Sequence, residues 1–122
     1  MSRTAFLLDT SALISIFEGT PTGRKIADLA GPDFLLSEIT CYEISRKGGS
    51  MERLLEGYGS LPFDRECRQN AARIYSQAKA AGRMASDYDI LIAGTAAARD
   101  LVVLTLDRDF ERLGVPCKIF RR

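Results

Sequence analysis

A chain of 122 residues and 13.5 kDa is the size of one domain of about 100–150 residues, and 46% hydrophobic with 27% charged residues excludes disorder as the default state. With no histidine in the sequence, no imidazole can serve as base, nucleophile or metal ligand, which excludes serine and cysteine triads. The 17 basic and 16 acidic residues leave a net charge of +1, so nucleic-acid binding would depend on where the charges lie.

The apolar run Thr4–Leu8 reads as a strand buried on both faces, ending at Asp9. Ala12, Leu13, Ile14, Ile16 and Phe17 then predict a helix, and a loop at Gly19–Gly23 leads into a second helix near Pro21–Leu29 that stops at Gly31-Pro32. Phe34-Leu35-Leu36 is a short strand. Two helices follow, Ser37–Lys47 and Ser50–Gly57, parted by Gly48-Gly49; Leu61-Pro62-Phe63 is a strand candidate weakened by its proline. Apolar positions Cys67, Ala71, Ala72, Ile74, Tyr75 and Ala78 mark the longest helix, over Asp64–Ala81. Another runs from Ser86 to Ala98. The chain closes with the apolar strand Leu101–Thr105, a helical turn at Asp107–Leu113 and a last strand at Cys117–Phe120. Strands that are apolar throughout, alternating with helices, predict an α/β fold: a parallel sheet sandwiched between helices on both faces.

Cys41, Cys67 and Cys117 form no CxxC pair, and an odd number of scattered thiols fits a reducing cytoplasm better than a disulfide framework or a zinc site. No apolar run approaches the ~20 residues that span a bilayer, and no secretory leader is evident; cytoplasmic residence with no membrane partner is the expectation.

In an open parallel sheet, ligands collect beyond the C-terminal ends of the strands. The first strand ends in Asp9 with Ser11 two residues on, and the strand Leu101–Thr105 is followed by Asp107. Glu43, one turn into the helix after the second strand, and Asp89, near the start of the helix before Leu101–Thr105, can reach the same crevice. Converging carboxylates repel, so they either take up protons or hold a hard cation such as Mg²⁺ or Mn²⁺. Such a cation activates water and stabilises a leaving oxyanion without an imidazole, which points to phosphodiester hydrolysis.

Helix capping is the competing explanation. Ser86-x-x-Asp89 and Thr40-x-x-Glu43 fit capping boxes, and Asp9 and Asp107 could each cap the element that follows. Four independent caps explain the joint pattern less well. Asp87 and Asp109 read mainly as residues favoured at helix starts or turns, with Asp87 the stronger rival to Asp89. Two helical positions two apart differ by about 200°, so one of Asp87 and Asp89 should face the crevice.

The segments Leu7–Ile14, Leu36–Ile44, Asp89–Ala96 and Leu104–Phe110 resemble the PIN-domain ribonucleases, and among them the small VapC-type toxins of toxin–antitoxin pairs, over nearly the whole chain. The resemblance implies a single domain over residues 1–122, with a five-stranded parallel sheet in an α/β/α sandwich. It also implies a Mg²⁺- or Mn²⁺-dependent endoribonuclease whose catalytic, metal-binding acids are Asp9, Glu43, Asp89 and Asp107, with Ser11 and Thr105 supporting the first and last. The tight Leu106–Phe110 segment leaves the division between Asp107 and Asp109 open. RNA is the implied substrate, with Arg46, Lys47, Arg83 and Arg108 as candidate contacts, and a cognate antitoxin and a second copy of the chain are the implied partners. Apolar residues of the early helices (Leu13, Ile14, Ile16, Phe17 and Ile26) and of Met51–Tyr58 would suit such partners, with core packing as the plainer use of each. The alternatives are a non-catalytic PIN-fold binding module, and a PIN nuclease of RNA processing without a toxin role. A phosphoacceptor domain ranks lower, because Leu101–Phe110 contains no lysine.

Overall fold

The computed structural model describes residues 4–121. In chain order the elements are β1 (Phe6–Leu8), α1 (Thr10–Phe17), α2 (Pro21–Ala30), β2 (Leu35–Ser37), α3 (Glu38–Ser45), α4 (Gly49–Leu54) and β3 (Gly59–Leu61). They continue with α5 (Arg65–Ala80), α6 (Asp87–Arg99), β4 (Val102–Thr105), a 3₁₀ helix (Arg108–Leu113) and β5 (Cys117–Ile119). The five strands form one parallel sheet in the order β3-β2-β1-β4-β5. The first strand is thus central, with Leu8 paired to Leu36 of β2 on one side and to Leu104 of β4 on the other. The chain first steps outward through β2 and β3, then crosses back through α5 and α6 to β4, so strand order reverses between β1 and β4.

Successive side chains of a strand point to opposite faces, and each face here has its own core. Leu7 and Val103 pack with Ala71, Ile74 and Ala78 of α5 and Ile90, Ala93 and Ala96 of α6. Leu8, Leu36 and Leu104 pack on the other face with Ala12 and Leu13 of α1, Ile26 of α2 and Ile44 of α3. Leu7, Leu8, Val103 and Leu104 are fully buried, each contributing about 1.5–3 kcal/mol of apolar burial. Burial on both sides is why these strands read as continuous apolar runs.

Two expectations need correction, and for the early helices the plainer of the two uses weighed holds. The strand expected at Leu61-Pro62-Phe63 lies two residues earlier, at Gly59–Leu61, because Pro62 has no N–H for the ladder. Thr40 caps nothing: Ser37 is the N-cap of α3, and Thr40 is fully buried inside the helix with its hydroxyl unpaired. The apolar surplus of the early helices is used internally, since Leu13 and Ile26 are fully buried and Ile14, Ile16, Phe17, Met51, Leu55 and Tyr58 pack against the same core.

The α1–α2 hairpin is drawn tight at Gly23, where a Cβ would meet the Ser15 carbonyl oxygen at 2.1 Å. Thr20 caps α2 by accepting the Gly23 N–H at 2.9 Å, and its hydroxyl lies 2.6 Å from that of Ser15. Among the described residues no helix is long and apolar enough to cross a membrane, and the three cysteines are free.

Candidate active site

A cleft of about 750 Å³ opens at the C-terminal edge of the sheet. Its walls carry Asp9, Glu43, Asp89, Asp107 and Asp109, with Glu18 of the α1–α2 hairpin further along. None of the described side chains lining it is basic. The cleft lies where strand order reverses, the place this topology reserves for ligands.

Asp9 follows β1 directly and is 3% exposed. Its Oδ1 accepts the Ala12 backbone N–H at 2.9 Å and the Ser11 hydroxyl at 2.8 Å, while Oδ2 accepts the Thr105 hydroxyl at 2.5 Å. Burial pushes its carboxyl up to about 6, against the pull of those three hydrogen bonds, and the nearby Asp107 charge adds to the rise. Capping and membership of the acidic site coincide in this residue: the side chain that closes the first turn of α1 also faces the cleft.

Ser11 and Thr105 each act twice. The Ser11 hydroxyl also accepts the Leu106 N–H at 3.0 Å, and that of Thr105 accepts the Asp107 N–H at 2.8 Å. Together they tie Asp9 to the turn that carries Asp107 and Asp109. Asp107 caps the 3₁₀ helix by accepting the Asp109 N–H at 2.9 Å.

Asp89, Asp107 and Asp109 each place a carboxylate oxygen within 4.8 Å of the others. Burial raises the Asp89 carboxyl to about 7, with the adjacent Asp107 the next cause. The cap Ser86 receives the Asp89 N–H at 3.2 Å. Asp87 is exposed and does not line the cleft, so of the two α6 acids it is Asp89 that faces in. Asp109 belongs to the tight triplet, a closer part than its turn position suggested; one exposed cation, Arg112, approaches it from outside at 3.5 Å.

Glu43 lies across the cleft, where its Oε1 accepts the Thr10 hydroxyl at 2.7 Å. Thr10 and Glu18 were not singled out from sequence. The partner of Thr10 stands 33 residues away, and no local pattern announces such a pair.

The four candidate RNA-contacting cations do not gather around the acids. Lys47 and Arg83 are exposed, and Arg108 lines a smaller pocket of about 380 Å³ with Leu106, Glu111, Ile119, Phe120 and Arg121. Arg46 reaches the cleft wall through its guanidinium, which donates to the Tyr88 hydroxyl at 3.2 Å.

The donor set is all oxygen, crowded and mostly uncompensated, and two of its carboxyls are held near neutral pH by burial and mutual repulsion. These are the conditions that favour a hard divalent cation over protons at pH 7.

Residues 6–116 match the family model described as PIN domain. The tRNA(fMet)-specific endonuclease VapC of Shigella flexneri is 29% identical over 121 residues, covering 89% of this chain and 92% of the relative. Its Salmonella typhimurium namesake is 31% identical over 120 residues, covering 88% and 91%. Among solved structures, DNA-bound VapBC from Salmonella typhimurium superposes with a TM-score of 0.79 at 26% identity, covering 95% of this chain and 98% of that one. FitAcB from Neisseria gonorrhoeae gives 0.79 at 26%, covering 92% and 95%. With the strand order, the acidic cleft and the matched span in agreement, this chain belongs to the PIN domain family.

Proposed function

We propose that this protein is a divalent-metal-dependent endoribonuclease, the toxin of a VapBC-type toxin–antitoxin pair, acting as a single domain in the cytoplasm. The observation that carries this reading is the cleft itself, in which Asp9, Glu43, Asp89, Asp107 and Asp109 face one another with no basic residue among the described ones that line it. The relatives named VapC and the VapBC complexes supply the endonuclease activity and the antitoxin as partner. The homodimer belongs to the proposal as well, and its mass in solution checks it.

In the proposed mechanism Asp89, Asp107 and Asp109 would hold Mg²⁺ or Mn²⁺, with Asp9 and Glu43 completing the negative wall. A bound divalent ion would supply the Lewis acidity that activates water and offsets charge on the phosphodiester. Ser11, Thr105 and the Ala12 N–H fix both Asp9 oxygens in orientation, so the carboxylate cannot rotate away when charge enters the cleft. Thr10 does the same for one oxygen of Glu43. Water activated by a divalent ion needs no 2′-hydroxyl nucleophile, so the reading predicts products with 5′-phosphate and 3′-hydroxyl ends.

The test is cleavage of tRNA(fMet), the substrate in the relatives' names, and of a structured RNA pool by antitoxin-free protein in Mg²⁺ or Mn²⁺. Loss of cleavage with EDTA and in Asp9→Asn, with 5′-phosphate ends, supports the reading. Equal cleavage by Asp9→Asn, or 2′,3′-cyclic phosphate ends, overturns it.

A further inference from the structure

The acidic cleft explains where a phosphodiester could react and leaves open what holds the rest of the nucleotide. An acidic wall repels phosphates, and the net charge of +1 provides little general attraction for RNA. A second feature stands at its mouth. Tyr88, next to Asp89 on α6, lines the cleft, while Tyr42, next to Glu43 on α3, is 52% exposed outside it. The two rings lie 6.1 Å apart at 44°. The Arg46 guanidinium is 5.4 Å from the Tyr42 ring centre and 5.5 Å from that of Tyr88. These distances place the cation beside the pair and not between the rings, since a guanidinium inserted between them would hold them much further apart.

Tyr42 and Arg46 are four apart on α3, so they share one helical face. Arg46 then bridges to α6 through the Tyr88 hydroxyl. An exposed Tyr42 and a half-buried Tyr88 that belong to neither core and run into the cleft wall are unusual for surface packing. Its chemistry is that of single-stranded RNA recognition, in which unpaired bases stack on aromatic rings and guanidinium planes.

We propose that Tyr42, Arg46 and Tyr88 form a stacking platform that takes an unpaired base of the RNA beside the scissile phosphodiester. The proposal rests on the ribonuclease reading and assigns these three side chains the task of holding one base of the substrate. The tyrosines are positioning residues. They act on binding of the substrate, and the acids act on the bond.

The test combines steady-state cleavage of a single-stranded oligoribonucleotide with fluorescence of the same oligonucleotide carrying 2-aminopurine next to the cleavage point. Tyr42→Ala and Tyr88→Ala should each raise KM about 5- to 100-fold with kcat changed less than about twofold. Tyr42→Phe, which keeps the ring, should recover most of the wild-type KM, and Tyr88→Phe, which keeps the ring and loses the hydroxyl that holds Arg46, should fall between wild type and Tyr88→Ala. Wild-type protein in Ca²⁺ should quench the 2-aminopurine, and the alanine variants should lose the quenching. Unchanged KM and quenching in the alanine variants would overturn the proposal. So would a fall in kcat at constant KM, which would make the tyrosines supports of the acids, or a change of oligomeric mass with quenching intact, which would make the cluster a contact between copies. Quenching is read without turnover: a wild type that quenches and does not cleave counts against the ribonuclease reading while upholding the platform.

Discussion

The hydroxyl of Thr105 donates to Asp9 across 96 positions of sequence, at 2.5 Å, while receiving the backbone N–H of Asp107 at 2.8 Å. One side chain therefore sets the orientation of a carboxylate after β1 and the start of the turn after β4. Thr105→Val keeps the shape and removes both bonds, leaving buried polar groups without partners. It should destabilise the protein by about 1–3 kcal/mol and lower cleavage about 10- to 100-fold. Thr105→Ser should restore most of both, as read by urea unfolding and RNA cleavage.

Asp89 should oppose stability and support activity. Asp89→Asn removes a charge that burial and Asp107 both disfavour, so metal-free variant should melt above metal-free wild type at pH 8. The difference should narrow at pH 5, where the folded wild type holds the proton, and close only below about pH 3.8, where the unfolded chain is protonated too; cleavage by the variant should fall at least about 100-fold. Thermal melts at the two pH values, with EDTA, check the first part.

For Asp9 the direction of the pH effect follows from a carboxyl raised from 3.8 to about 6. The folded state holds its proton over a range where the unfolded chain has released it. That contribution is complete below pH 3.8 and is lost as pH rises through about 6, by up to about 3 kcal/mol in metal-free protein. Mg²⁺ or Mn²⁺ should reverse the loss, so the rise in Tm on adding metal should grow from pH 5 to pH 8. A metal-induced shift independent of pH would contradict ligation by these acids.

Packing between α5 and α6 is closest at Gly94. A Cβ there would lie 2.6 Å from the Ala71 Cβ and 2.8 Å from its Cα and N, so Gly94→Ala must push the helices apart. A loss of roughly 1–3 kcal/mol in chemical denaturation is expected. Because α6 carries Asp89 and Tyr88, cleavage should fall too.

The parts of this molecule legible in sequence are those under strong constraint. β1 and β4 are buried on both faces and read as unbroken apolar runs, and the acids at their ends stood out for that reason. β3 is an edge strand with exposed Gly59 and Ser60, so its pattern was weak and its position was off by two residues. Helical rotation required one of Asp87 and Asp89 to face the cleft without saying which, and the structure turns Asp89 inward. The role of Asp109 did not follow, because the 3₁₀ turn brings both Asp107 and Asp109 to the cleft. Thr10 with Glu43, and Arg46 with Tyr88, join separate elements, and pairings of that kind exist only once the sheet has closed.

The central place of β1 also bears on when the protein can act during its own synthesis. The first strand is made early, yet one of its two neighbours, β4, is made after α6, and Asp107 and Asp109 later still. A nascent chain ending before Thr105 has Asp9 without its hydroxyl partner and lacks two members of the acidic triplet. The order of strands therefore acts as a timer: a growing chain that has not reached Asp109 lacks the assembled acidic cleft, and the capacity to cut RNA waits for β4 and the turn after it.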